Sequence, residues 1–108
     1  MKLTIKVTQE HIDRGHKADC YVCPFALAAC EAIRDTPYMF VMAASTFLRL
    51  QCNPSKQMSY DISIEWPMQA QRWIIGYDAG DLMYPITVEI DTDDGIMLDD
   101  MYERRLRV

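Results

Sequence analysis

Apolar and polar residues alternate along three separate stretches of this sequence, and the alternation constrains the fold more than any other feature. Residues 3–7, 58–64 and 86–90 carry the pattern, each with aliphatic or aromatic side chains at every second position. A period of two is typical of a strand that buries one face and leaves the other in water. We therefore expect strands at the beginning, in the middle and near the end of the chain.

Two prolines precede apolar segments that have helical spacing. Cys23 and Pro24 have the character of an N-cap followed by the first helical residue, where the missing N–H of proline costs nothing. This pattern predicts a helix from Pro24 to about Arg34. Pro67 predicts a second helix to about residue 78, closed by Ala79 and Gly80, with an apolar face that includes two tryptophans. Those aromatic rings are expected to belong to the core.

Weaker sequence patterns predict the structure of the segments between these elements. A short helical turn is expected over residues 9–14, after Thr8 as N-cap and before Gly15. Residues 38–50 predict one long strand or two short ones with a break near residues 43–45. Because a turn signal follows at residues 53–56, this segment is expected to form a hairpin with the alternating strand after it.

The resulting order is β-α-β-β-α-β plus a tail, which predicts an α+β fold. Strands divided around two helices favour one mostly antiparallel sheet with both helices on one face, and a ferredoxin-like arrangement is one candidate. The 108 residues are enough for one core. We expect a single domain over residues 1–91, followed by an extension over residues 92–108 with an acidic turn and a short C-terminal helix from residue 96.

Composition narrows the class of function. The net charge of -5 argues against direct nucleic-acid binding, which draws on a surplus of Lys and Arg. The chain has no long apolar run and no leader-like opening, so we expect a cytoplasmic protein without a membrane partner. The four cysteines are then expected to be thiols or metal ligands rather than disulfides. The eight methionines suit core packing, or a homo-oligomer surface.

One segment concentrates residues that bind metals. His16, Cys20 and Cys23 lie within eight residues, and Cys-x2-Cys is a spacing that lets a turn wrap a zinc ion. Cys30 lies two helical turns beyond Cys23 and is too far away to share that ion. His11 is therefore the fourth candidate ligand, with Cys52 as its alternative. A zinc-stabilised module for protein or nucleic-acid contact is one hypothesis; the simpler one makes both loop cysteines ordinary thiols.

Thiol chemistry is a further hypothesis. A cysteine at a helix N-terminus has its thiolate stabilised by the helix dipole, so Cys23 is a candidate redox or nucleophilic group. Cys20 or Cys23 with a histidine and an aspartate would suffice for a thiol-dependent enzyme. The sequence has no glycine-rich phosphate loop and no family signature of such a triad. We therefore expect a protein that is not an enzyme.

An acidic segment follows the last predicted strand. Seven acidic residues and no basic one lie between Glu89 and Glu103. Such a run is usually a solvated turn and helix start. Its alternative use is to imitate nucleic-acid phosphates and occupy a basic cleft on a partner.

Several motifs carry a likeness to known proteins. The sequence VTQEHIDRG at residues 7–15, the CxxCP motif at 20–24, ALA at 26–28, WIIGYDAG at 73–80 and PITVE at 85–89 resemble segments of small uncharacterised proteins encoded by bacteriophages and prophages. The likeness covers most of residues 3–91 and is most specific in the first thirty.

That resemblance implies a setting in which small acidic proteins act by binding. The expected function is an accessory protein that inhibits or sequesters host machinery or a defence component, in the cytoplasm of the host cell. Its partner would be a host protein or a small signalling molecule, with no cofactor unless zinc is bound. The polar loop before the first long helix is the expected binding surface, through His11, Arg14, His16 and Lys17.

Overall fold

The computed structural model describes residues 1–55 and 58–98, and within them the chain has an α+β fold of three helices and six strands. The elements are β1 (Lys2–Val7), α1 (Gln9–Arg14), α2 (Pro24–Ala32), β2 (Tyr38–Ala43), β3 (Phe47–Ser55), β4 (Met58–Glu65), α3 (Met68–Asp78), β5 (Ile86–Asp91) and β6 (Ile96–Met97), with a 3₁₀ turn at Thr92–Asp94. The predicted fold class is confirmed.

The strands form two antiparallel sheets rather than one. β1 pairs with β5, and the other four strands lie in the order β2-β3-β4-β6. β6, which directly follows the 3₁₀ turn after β5, pairs with β4 only at Ile62 and Ser63. No strand pairing joins β4 to β5 in the described part of the chain. The described strands therefore do not form the single sheet of a ferredoxin-like arrangement. The first and last of the alternating strands are nevertheless partners over their full length.

The predicted hairpin between residues 38–50 and the strand after them is present as three consecutive antiparallel strands. The predicted break separates β2 from β3. β3 extends to Ser55 and so includes most of the predicted turn at residues 53–56; residues 56 and 57 lie outside the described residues. Periodicity placed β3 and β4 correctly because alternate side chains are buried in them, whereas β2 has a single buried residue, Ala43.

Two predicted helix boundaries shift. α2 ends at Ala32 because Ile33 leaves helical geometry and the Thr36 hydroxyl donates to the Ile33 carbonyl at 2.6 Å. Pro67 is the N-cap of α3 rather than its first residue. Gly80, with φ 88°, follows the end of α3 as predicted. The helix predicted from residue 96 is wrong at its start, since Ile96–Met97 is β6, and residues 99–108 lie outside the described residues.

Aromatic residues of α2, β4's end and α3 meet in the core, which confirms their predicted role. Phe25 packs edge-on against Trp66 at a centroid distance of 5.0 Å and against Trp73 at 5.4 Å. Tyr77 stacks on Trp73. All four are buried, and both indole N–H groups donate to backbone carbonyls. α2, with five buried residues, packs against β1 and β2. In the described part of the chain, no helix is both long and apolar enough to cross a membrane.

Candidate binding surface

The connection between α1 and α2, residues 15–23, forms a loop whose first residue must be glycine. A Cβ atom on Gly15 would lie 2.6 Å from Cδ of Pro24, well inside van der Waals contact. The close approach brings the C-terminus of α1 against the N-terminus of α2. We call this connection the 15–23 loop.

Two hydrogen bonds tie the 15–23 loop to the C-terminal turn of α3. The buried Tyr77 hydroxyl donates to the Gly15 carbonyl at 2.9 Å, and the Ala18 N–H donates to the Asp78 carboxylate at 2.9 Å. Ala18 has a φ of 54°, in the left-handed region that costs a residue with a Cβ about 1 kcal/mol. The bond to Asp78 holds the loop in this strained conformation.

Further bonds close the loop on itself. The His16 N–H donates to the Val22 carbonyl at 3.0 Å, and the Cys23 N–H donates to the Asp19 carbonyl at 3.0 Å. The Asp19 carboxylate accepts from the Tyr21 N–H, which makes an Asx turn. The loop is therefore fixed from both ends and from within.

Several loop side chains project into solvent although the backbone is fixed. His16, Lys17 and Tyr21 are exposed, Tyr21 by 59%, and Val22 is exposed by 36%. Arg14, the last residue of α1, is exposed beside them and pairs with Glu10 at 3.1 Å. The loop and the end of α1 thus carry exposed basic groups and an exposed aromatic ring on a fixed backbone.

His11, which the sequence also predicts as a binding residue and a metal ligand, is buried in the fold rather than exposed on this surface. Its side chain is buried, with Nδ1 accepting from the Thr8 N–H at 2.9 Å and Nε2 lying 2.9 Å from the Glu31 carboxylate. Because Nδ1 accepts, Nε2 carries the proton and donates to Glu31. The His11 bond lowers the pKa of the Glu31 carboxyl below its ordinary value of 4.5. Both ring nitrogens are thus occupied.

Cys23 caps α2, as the sequence predicts. Its sulfur accepts from the Ala26 N–H at 3.4 Å and donates to the Ala43 carbonyl at 3.9 Å. Burial raises the pKa of this thiol, although the backbone N–H groups of Ala26 and Phe25 oppose the shift. A buried thiol held in its protonated form is a poor nucleophile.

The predicted zinc ligands do not converge. His16 is exposed, His11 is fully bonded, and Cys23 faces a small cavity of about 210 Å³ that it shares with Cys20, Asp19 and other residues. Within residues 1–55 and 58–98, no three His, Cys, Asp or Glu side chains are grouped to hold a metal ion. The alternative ligand Cys52 is a buried residue of β3.

Of the four predicted binding residues, Arg14, His16 and Lys17 are exposed and His11 is buried. Tyr21 and Val22 join them through the bond between His16 and Val22. The sequence could have indicated this contribution through the Tyr21-Val22 pair inside the CxxC motif. An apolar pair in a polar loop is either buried or presented to a partner. No family model, curated protein or solved structure matches this chain.

Proposed function

We propose that this protein acts by binding rather than by catalysis, and that the 15–23 loop is its contact surface. The observation that supports this is the contrast between the loop's fixed backbone and the exposed side chains of His16, Lys17 and Tyr21. Five hydrogen bonds, to Tyr77, to Asp78 and within the loop, fix that backbone. Loops held by a rigid scaffold commonly carry recognition, and a fixed loop loses less entropy on binding.

The chemistry of the loop and of the adjoining Arg14 favours a partner that carries negative charge next to a planar or apolar group. Arg14, His16 and Lys17 supply donors and positive charge, and Tyr21 supplies a ring face. These groups supply positive charge on a chain whose net charge is -5. An acidic segment of a host protein, or a small signalling molecule with phosphate groups, has the complementary chemistry.

The likeness of residues 7–28 to phage and prophage proteins supplies the setting. We propose an accessory protein that inhibits or sequesters a component of host machinery or defence, inside the host cell. Binding alone suffices for such a role, and a loop with exposed donors on a small scaffold is suited to it.

A capture experiment with a matched control tests the proposal. The full chain is immobilised and exposed to extract of phage-infected cells, and retained proteins and small molecules are identified by mass spectrometry. A variant with His16→Ala, Lys17→Ala and Tyr21→Ala should retain the principal target about tenfold less than the unmodified chain. A control with Thr4→Ala and Lys6→Ala, both exposed on β1, should retain it fully. Equal retention by both variants would contradict the proposal.

Substitution of Cys23 separates binding from thiol chemistry. Cys23→Ser keeps a hydrogen-bonding N-cap for α2 and removes the sulfur. A binding protein should then retain its target, whereas a thiol-dependent enzyme should lose all turnover. Retention that disappears in Cys23→Ser, with an unchanged circular dichroism spectrum, would favour the enzyme.

A further inference from the structure

A cleft of about 580 Å³ separates the two sheets where β4 ends and β5 runs past it. Its walls include Glu65 from β4, Glu89 and Asp91 from β5, and Asp94 from the 3₁₀ turn. The cleft shares no residue with the 15–23 loop. Because both walls are strands, the direction of their backbone groups decides what the cleft can bind.

The outer edge of β4 presents its backbone to the cleft. Trp66 N–H donates to the Thr46 carbonyl, on the side of β3. Since backbone groups of successive residues in a strand point to opposite sides, Ile64 also faces β3 and Glu65 faces away from it. β6 covers this outer edge only at Ile62 and Ser63. The N–H and C=O of Glu65 therefore point toward the cleft, beyond the two residues that β6 covers.

β5 presents its backbone in the same way. The Thr92 N–H donates to the Met1 carbonyl, so even-numbered residues of this strand face β1. Glu89 and Asp91 therefore direct their N–H and C=O groups away from β1. In the part of the chain that the structure describes, no strand pairs with this edge of β5. The outer edge of β5 and the end of the outer edge of β4 thus border one cleft.

The side chains around the cleft define what kind of strand would fit between these edges. Ile64, Trp66 and Ile90 are buried and form an apolar floor. Four carboxylates stand around it, and Lys2 is the one basic side chain among the described lining residues. The N-terminal ammonium lies 3.2 Å from Asp91, which leaves Glu65, Glu89 and Asp94 as the dominant charges.

We propose that this cleft binds an extended, basic segment of a partner protein as an added β-strand that joins the two sheets. The added strand would hydrogen-bond to Glu65 on one side and to Glu89 and Asp91 on the other. Apolar side chains at every second position would lie on the floor, and lysine or arginine side chains between them would meet the carboxylates. Charge complementarity selects this occupant over an acidic or neutral strand.

A synthetic peptide tests the proposal directly. The probe is a fluorescently labelled seven-residue peptide of alternating lysine and valine, and its anisotropy is measured with the full chain. Glu65→Lys with Glu89→Lys should weaken binding about tenfold or more. Glu10→Lys with Asp13→Lys makes the same change in net charge on exposed residues of α1 and should change affinity by less than about twofold. Equal weakening in the two variants would overturn the proposal.

Backbone pairing has its own signature. A peptide methylated at every second backbone nitrogen keeps its charges and loses donors along one side, so its affinity should fall about tenfold. Amide exchange at Glu65, Glu89 and Asp91 should slow when the unmethylated peptide binds. An unchanged affinity for the methylated peptide, with unchanged exchange at these amides, would mean attraction between charges only and would overturn the added strand.

The chain's own C-terminal segment is the competing occupant, since it carries Arg104, Arg105 and Arg107. Replacing these three arginines with serine should leave peptide affinity within about twofold if a partner is the occupant. An unmodified chain that does not bind the peptide, beside a serine variant that does, would assign the cleft to the chain itself and overturn the proposal.

Discussion

Two regions of the molecule use polar groups in opposite ways. One is the α1–α2 corner, which we define as α1, the 15–23 loop and α2; the other is the cleft between β4 and β5. In the corner, the residue types that suggest chemistry are bonded within the fold: His11 to Thr8 and Glu31, and Cys23 to Ala26 and Ala43. In the cleft, regular strands direct the backbone N–H and C=O groups of Glu65, Glu89 and Asp91 toward the open space.

This difference teaches that residue type alone does not locate a working surface. His11 and His16 are five residues apart, and one completes a capping box while the other stands in solvent. Burial of polar groups requires their satisfaction, so polar residues of the corner are available to a partner only where they are exposed. In the cleft, the groups that a partner could reach are backbone N–H and C=O groups. Every residue type except proline supplies both, so residue type does not reveal them.

The largest effect is expected at Gly15. Gly15→Ala places a Cβ against the Pro24 ring and should lower the free energy of unfolding by about 3 kcal/mol, because neither the proline nor α2 can move without disturbing the core. Gly76→Ala is the matched control: its Cβ meets the end of the flexible Asp81 side chain, and alanine gains up to about 1 kcal/mol within a helix. Urea unfolding measures the stability of both variants. Equal stabilities would show that the backbone at residue 15 can move away from Pro24 without cost.

The two histidines give the second test. His11→Ala removes the acceptor for the Thr8 N–H and the donor to Glu31, and should cost about 2 kcal/mol of stability. His16→Ala should change stability by less than about 0.5 kcal/mol and weaken target retention. Thermal melting followed by circular dichroism compares them. A stable His11→Ala protein that has lost its target would return His11 to the binding surface.

The sequence allowed most local structure to be predicted and little of the pairing between strands. Thr8, Gly15, Cys23, Pro24 and Gly80 act on their immediate neighbours, so their roles in caps and turns could be inferred directly. Period-two alternation states which face of a strand is buried but not which strand lies beside it. The separation into two sheets, and with it the cleft, follows from contacts far apart in the chain.

The binding surface was only partly predictable for a related reason. Arg14, His16 and Lys17 could be identified because charged residues in a loop are usually exposed. His11 looked equivalent, but its partner Glu31 is twenty residues away and on another helix. Contacts of that kind do not follow from local spacing. For the same reason, the four proposed zinc ligands are close in sequence and yet do not converge in the described structure.

The smallest effect tests whether the corner depends on charge. The pKa of the Glu31 carboxyl is lowered in the folded state, so its stabilising contribution is present above the ordinary value of 4.5 and is lost as the pH falls through the folded value. Glu31→Gln should therefore be less stable than the unmodified chain at pH 6 by under about 1 kcal/mol, since the side chain is half exposed. The difference should shrink as the pH falls through the lowered pKa of Glu31. Glu65→Gln, whose carboxylate has no described partner, is the control and should leave stability unchanged over the same pH range. A glutamine that preserved full stability at pH 6 would show that the bond from His11 to residue 31 needs an acceptor but not a charge.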